Sequence, residues 1–323
     1  MGKNIQLLVL VLCISTLFCF GKKPPVFSIP AVAPKDSCAL LLLPKELQQF
    51  SVRDVALSPN QDELFITVES NKNIFSSILR LSKTGKRWNV EVAPFSGNYA
   101  DIEPTFSPDG NTLYFVSNRP LQKDSAIKDF DIWKTTKVNG VWTEPENLGA
   151  PINTEANEFY PAITENGKLY FTAAYKNAIG KEDIWMSKLE NGKYSTPEYL
   201  PETVNSKLYE FNAFVSPDDS YIIFTSFGRE DDLGGGDLYI NKKDAKGDWL
   251  PAKNLGTKIN SKGLDYCPFV SFDKKYFFFT SDRNNIKKSY KTKLSLDTFL
   301  KEIGQLQNGK GNIYWIDADD ILK

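Results

Sequence analysis

The sequence predicts an all-β protein: a single β-propeller of four-stranded blades, with five blades as the leading count and six as the alternative. Three observations carry this. Five segments align on the anchor residues Ser58, Ser107, Thr164, Ser216 and Ser271, at intervals of 49, 57, 52 and 55 residues. Each copy joins a first strand through a turn, such as Pro108-Asp109-Gly110 or Asn166-Gly167, to a second strand rich in aromatic and β-branched residues, such as Tyr276-Phe277-Phe278-Phe279. A third strand then opens with Asp131-Ile132-Trp133, Asp183-Ile184-Trp185, Asp237-Leu238-Tyr239 or Asn312-Ile313-Tyr314. One such sheet cannot cover both of its faces, whereas sheets stacked around an axis cover each other.

Taken in chain order, residues 1–21 read as an export signal. Lys3 precedes the apolar run Ile5 to Phe20, which is shorter than the roughly 20 residues that a membrane span needs. Cys19 and Gly21 place small residues at the −3 and −1 positions before Lys22. The competing reading makes Cys19 the lipid-carrying residue of a lipoprotein, and an uncleaved anchor is a third. Residues 22–37 form a linker, and residues 38–323 form the propeller.

The Gly-turn-aromatic units Gly85 to Trp88, Gly140 to Trp142, Gly192 to Tyr194 and Gly247 to Trp249 are expected to lead into the fourth strands. The fifth copy is interrupted by a polar insert with a short amphipathic helix near residues 296–306, and it lacks a fourth strand. The apolar stretch Cys38 to Pro44 is expected to supply that strand and close the ring, removing an open edge. The recurring aromatics Trp133, Trp185, Tyr239 and Tyr314 are expected to pack between blades.

Composition narrows the chemistry. The chain of 323 residues has no histidine, which excludes a Ser-His-Asp triad, a Cys-His pair and His-ligated metal sites. A net charge of −1 gives no global attraction to nucleic acid. An exported compartment permits Cys38 and Cys267 to pair, and does not require it. No catalytic set and no spaced metal-ligand set stands out. The acidic loop Glu230 to Asp237 is a calcium candidate set against a plain exposed loop. The run Lys287 to Lys293 is a solvated loop or a contact for anionic lipid or glycan.

A charged pattern recurs with the repeat. Six residues before the anchor stands an acid in four copies: Asp101, Glu158, Glu210 and Asp265. Three copies end the second strand near an arginine, Arg119, Arg229 or Arg283, and the third has Lys176 nearby. The entry to the first strand and the exit of the second lie at the same end of a blade. These residues are therefore expected on one face, around the mouth of the central channel. They either hold the loops in register as ion pairs or bind a ligand.

The motifs Ser107-Pro108-Asp109-Gly110, Leu113-Tyr114-Phe115, Asp131-Ile132-Trp133, Pro145-Glu146-Asn147-Leu148-Gly149 and Ser281-Asp282-Arg283 resemble the WD-like β-propeller repeats of the TolB-like family. They are closer still to the propellers that precede OmpA-type domains. The resemblance spans about residues 38–320, without TolB's separate α/β domain or an OmpA-like domain, and TolB-like propellers usually have six blades. It implies a non-catalytic scaffold of the bacterial envelope, in the periplasm or on an outer-membrane or cell-surface lipoprotein. Its partner would be an envelope protein, a peptide or a glycan, with membrane contact only through a lipid anchor. The alternative is a carbohydrate-active or carbohydrate-binding propeller that works with carboxylates.

Overall fold

The computed structural model describes residues 27–323 except Lys86, Lys123 and Asp124. The expected export signal, Cys19 included, and the start of the linker lie outside the described residues.

Five sheets form the ring. Blade 1 has strands Ser51–Leu57, Glu63–Glu69, Ser76–Thr84 and Arg87–Val92. Blade 2 has Asp101–Phe106, Thr112–Ser117, Asp131–Val138 and Glu146–Asn147, and blade 3 has Glu158–Ile163, Leu169–Ala173, Asp183–Ser187 and Glu198–Tyr199. Blade 4 has Tyr209–Val215, Tyr221–Phe227, Asp237–Lys242 and Lys253–Asn254. Blade 5 takes Asp265–Val270, Tyr276–Ser281 and Asn312–Asp317 from the end of the chain and Ala39–Leu40 from its beginning. Ala39 faces Trp315 and Leu40 faces Tyr314 in antiparallel register, so the early strand closes the ring as the sequence predicts.

Burial explains why the ring holds. Among the described residues six apolar clusters are buried, five of them at the seams between neighbouring blades and a small one, Tyr160, Tyr266 and Cys267, at the axis. Trp133 packs with Phe65 and Ile78 of blade 1. Trp185 packs with Ile102 and Val116 of blade 2. Tyr239 joins Tyr170 and Ile184 of blade 3, and Tyr314 joins Ile223 and Leu238 of blade 4. The closing seam unites Phe27, Leu41 and Leu43 with Leu64, Trp88, Phe278 and Trp315. The recurring aromatics thus fill the gaps between blades, where their large area gives the most burial.

Two expectations change in detail. In blades 2 to 4 the Gly-turn-aromatic units do not begin the fourth strand. Val141–Trp142 forms a hairpin on Lys137 and Val138, and the fourth strand follows later as Glu146–Asn147. Leu189–Glu190 and Lys193–Tyr194 make the same excursion in blade 3. The cause is local: positive-φ Gly140 and Gly192 favour tight hairpins. Blade 1 does follow the expectation, with Trp88 inside its fourth strand. The insert helix runs over Leu296–Ile303, capped by Ser295, whose side chain accepts from Thr298 N, and it stops at Gly304. Among the described residues no helix is long and apolar enough to cross a membrane.

Candidate functional site

The inner strand of every blade carries the same irregularity. The register breaks between Arg53 and Ala56, Ile102 and Thr105, Phe159 and Ala162, Phe211 and Phe214, and Tyr266 and Phe269. At each break one non-glycine residue has positive φ: Asp54 at 61°, Glu103 at 58°, Tyr160 at 50°, Asn212 at 50° and Cys267 at 52°. Such bulges re-aim side chains, at some backbone strain. Here they turn five dissimilar residues into one hydrogen-bonded plug.

Arg53 donates from Nε to Asp54 at 3.1 Å, from Nη2 to Glu103 Oε1 at 2.5 Å, and to Cys267 Sγ at 3.2 Å. Asn212 Nδ2 donates to the same Glu103 oxygen at 3.2 Å. Tyr160 sends its hydroxyl to Pro268 O at 2.9 Å.

Glu103 has a specific origin. In blades 1, 3 and 5 a threonine of the second strand accepts the bulge N–H of the following blade. Thr67 takes Glu103 N, Thr172 takes Asn212 N and Thr280 takes Asp54 N. The matching position of blade 2, opposite Ile102, is Val116, which has no acceptor. Glu103 Oε2 fills the gap and accepts Tyr160 N at 2.7 Å. Burial pushes the Glu103 carboxyl up to about 7 against the opposing pull of Arg53. Glu69 also moves up through burial, and the buried Cys267 thiol is raised and stays protonated.

Above the plug is a cavity of about 220 Å³. It is lined by Arg53, Ile102, Phe159, Phe211 and Tyr266, one equivalent residue from each blade, together with Glu103, Asn212, Glu182, Thr172 and Leu264. Tyr266 lies with its ring 5.2 Å from the Arg53 guanidinium. Glu182 differs from the other acids here. It is half-buried, burial alone raises its pKa, and among the described residues no donor or cation meets its carboxylate. The single arginine is met by Asp54, Glu69 and Glu103, so the mouth as a whole is negative.

The predicted rim residues stand next to this cavity in sequence, and none of them lines it. Asp101, Glu158, Glu210 and Asp265 are each 0% exposed. Strand alternation turns them into the seams while their neighbours face the axis. Arg119 meets Asp101 at 2.7 Å, Arg229 meets Glu210 at 3.0 Å and Arg283 meets Asp265 at 2.9 Å. Each arginine also donates Nε to a serine of the second strand and Nη2 to a carbonyl of the incoming connection, Phe95, Val204 or Ile259. Each lies over the aromatic of the third strand: Trp133, Tyr239 or Tyr314.

In blade 3 the corresponding group is Tyr175, not Lys176. Its hydroxyl donates to Ile152 O at 2.8 Å and reaches Glu158, and its ring lies tilted against Trp185 with the centroids 4.8 Å apart. Glu158 is left buried with no cation among the described residues. Thr154 and the tyrosine pull its pKa down, but burial dominates and sets it at about 7.

Three of the four carboxylates of the acidic loop, those of Asp231, Asp232 and Asp237, are met by donors of blade 4 itself, while Glu230 is exposed. Asp232 accepts from Gly228 N and Gly234 N, Asp237 accepts from Leu233 N and Asn254 Nδ2, and Asp231 takes the Tyr239 hydroxyl. Among the described residues no group of three or more acids or cysteines is placed to hold a metal ion. Cys38 and Cys267 are free thiols.

No family model and no curated protein matches the chain. Solved structures resemble it at low identity. One is a Mycobacterium tuberculosis puromycin-hydrolyzing peptidase, at 11% identity and a TM-score of 0.41, covering 81% of this chain and 41% of that chain. The catalytic domain of the Coprinopsis cinerea GH62 α-L-arabinofuranosidase aligns at 9% identity over 91% of this chain and 96% of that one, with a TM-score of 0.49. The α-L-arabinofuranosidase PaAbf62A from Podospora anserina, solved with cellotriose, aligns at 11% over 90% and 94%, with a TM-score of 0.48.

Proposed function

We propose that the protein is a non-catalytic carbohydrate-binding propeller whose axial mouth takes a neutral sugar ring. The observation that carries this is Glu182: a half-buried carboxylate without a donor, facing a cavity edged by Phe159, Phe211 and Tyr266. Sugar hydroxyls would supply the missing donors, and the C–H faces of a pyranose or furanose would lie on the rings. A cavity of about 220 Å³ is smaller than the roughly 300–1,000 Å³ of drug-sized sites, which suits one ring at the end of a glycan.

The surplus of carboxylates around Arg53 disfavours an anionic ligand such as a peptide carboxylate. Two-carboxylate hydrolysis needs two acids free to act. The Glu103 oxygens are already occupied by Arg53, Asn212 and Tyr160 N, which favours binding over catalysis. The apolar run of residues 5–20 supports an extracytoplasmic setting, where an envelope scaffold and a glycan reader would meet the same polymers.

The test is calorimetry against a panel of neutral mono- and oligosaccharides, with a lysine-rich peptide as the cationic control. Sugar binding that Phe211→Ala abolishes and Glu182→Gln weakens supports the reading. Binding of the peptide alone, lost in Glu182→Gln, overturns it in favour of an ammonium ligand. Binding of neither ligand by the folded protein also refutes it.

A further inference from the structure

The insert of blade 5 carries a surface that the axial mouth does not use. In the helix Leu296–Ile303 no residue is buried. Leu296, Phe299, Leu300 and Ile303 follow the i, i+3, i+4, i+7 spacing of a single stripe, and they are 70%, 46%, 52% and 42% exposed. Eight residues make only about two turns, roughly 12 Å, yet four large apolar side chains stand in solvent along it.

The segment before the helix is strongly basic. Lys287, Lys288, Lys291 and Lys293 are exposed, as is Lys301 within the helix, and none of the five takes part in an ion pair among the described residues. The two features are joined. The Tyr290 hydroxyl donates to Glu302 Oε1 at 2.6 Å, which ties the lysine loop to the helix. Asn285 N bonds Gln307 O at 2.9 Å and closes the base of the insert.

We propose that this insert is a docking element for a membrane surface rich in anionic lipid. The apolar stripe enters the boundary between headgroups and acyl chains, while the lysines lie among the headgroups. Charge selects this occupant over the two others at hand. A second copy of the chain would bring two unpaired lysine runs together. The apolar N-terminal run is flanked by Lys3, Lys22 and Lys23 and has no acid among residues 1–23, so it would also be repelled. The insert leaves blade 5 after Ser281 and returns at Asn312, at the end of the blade that carries the axial mouth. Docking would turn that face toward the bilayer.

The experiment is vesicle co-sedimentation of the chain from residue 27 onward, which holds every strand of the closed ring. The probes are vesicles of phosphatidylcholine alone and vesicles with about one third phosphatidylglycerol. Each lysine near such a surface is worth roughly fivefold in partitioning. Replacing Lys287, Lys288, Lys291 and Lys293 together by Gln should lower binding to anionic vesicles by about a hundredfold or more. High salt should do the same to the unaltered chain. Phe299→Asp with Leu300→Asp should abolish binding with an unchanged melting point, because both side chains are exposed. Equal binding to both vesicle types, or binding that neither variant weakens, overturns the proposal. So does concentration-dependent self-association that the Asp variant removes, with no vesicle binding, since it would assign the stripe to a second copy.

Discussion

Three blades hold a buried acid against an arginine, and blade 3 holds Glu158 against Tyr175. The difference makes stability depend on pH in a calculable way. Glu158 has a folded-state pKa of about 7 against an ordinary value of 4.5. The folded protein therefore binds this proton more tightly than the unfolded chain does. Its contribution is fully present below pH 4.5 and is lost as pH rises toward 7. At about 1.4 kcal/mol per pH unit the full penalty is about 3 kcal/mol. Solvent screening lowers that to about 1–3 kcal/mol.

Glu158→Gln removes the charge and keeps an acceptor for Thr154, so it should stabilise the protein by that amount at pH 8 and change little at pH 4.5. Ala173→Ser with Tyr175→Arg rebuilds the serine-arginine arrangement of blades 2 and 5 and should flatten the same pH dependence. The assay is urea unfolding across this range, read as variant minus parent so that other titrating groups cancel. An equal difference at both pH values, or a Gln variant that is weaker at pH 8, would refute the argument.

Three further outcomes follow from the same geometry. Deleting residues 24–44 removes Ala39–Leu40 and should cost the ring its cooperative melting or cause aggregation through the exposed edge of Asn312–Asp317; a monomeric truncation with an unchanged melting point would count against closure. Arg229→Ala and Glu210→Ala should each destabilise by about 3–5 kcal/mol, with the double variant far from additive, because either single change leaves a buried group unpaired. Glu103→Ala should cost about 1–3 kcal/mol more in the parent than in a Val116→Thr background, where threonine supplies the acceptor for Tyr160 N; chemical denaturation of the four proteins decides it.

The blade count and the ring closure were legible because they rest on recurrence. Ser58, Ser107, Thr164, Ser216 and Ser271 mark the end of every inner strand, and the missing fourth strand of the last repeat has a match near Ala39. The acid-arginine pairs were legible for the same reason. The axial mouth was not. Its lining residues are an arginine, an isoleucine, two phenylalanines and a tyrosine, and positions that repeat in space without repeating in chemistry give no pattern in sequence. Tyr175 was missed because a phenol replaces a guanidinium by reach and not by charge, so the nearby Lys176 drew attention. The isolation of Glu182 is a statement about what surrounds it, and no local spacing encodes that.

The strand that completes blade 5 precedes blades 1 to 4 in the chain and pairs with a segment that follows them. Leu40 and Tyr314 are 274 residues apart in sequence, and bringing the ends of so long a loop together costs about 5 kcal/mol of chain entropy before any contact repays it. A growing chain can assemble blades 1 to 4 and still have its ends unlatched. Any interruption before residue 312 leaves a seam open to proteases. Closure is thereby checked by the fold itself: only a chain that holds both Ala39–Leu40 and Asn312–Asp317 can fasten, and only a fastened ring hides its edge.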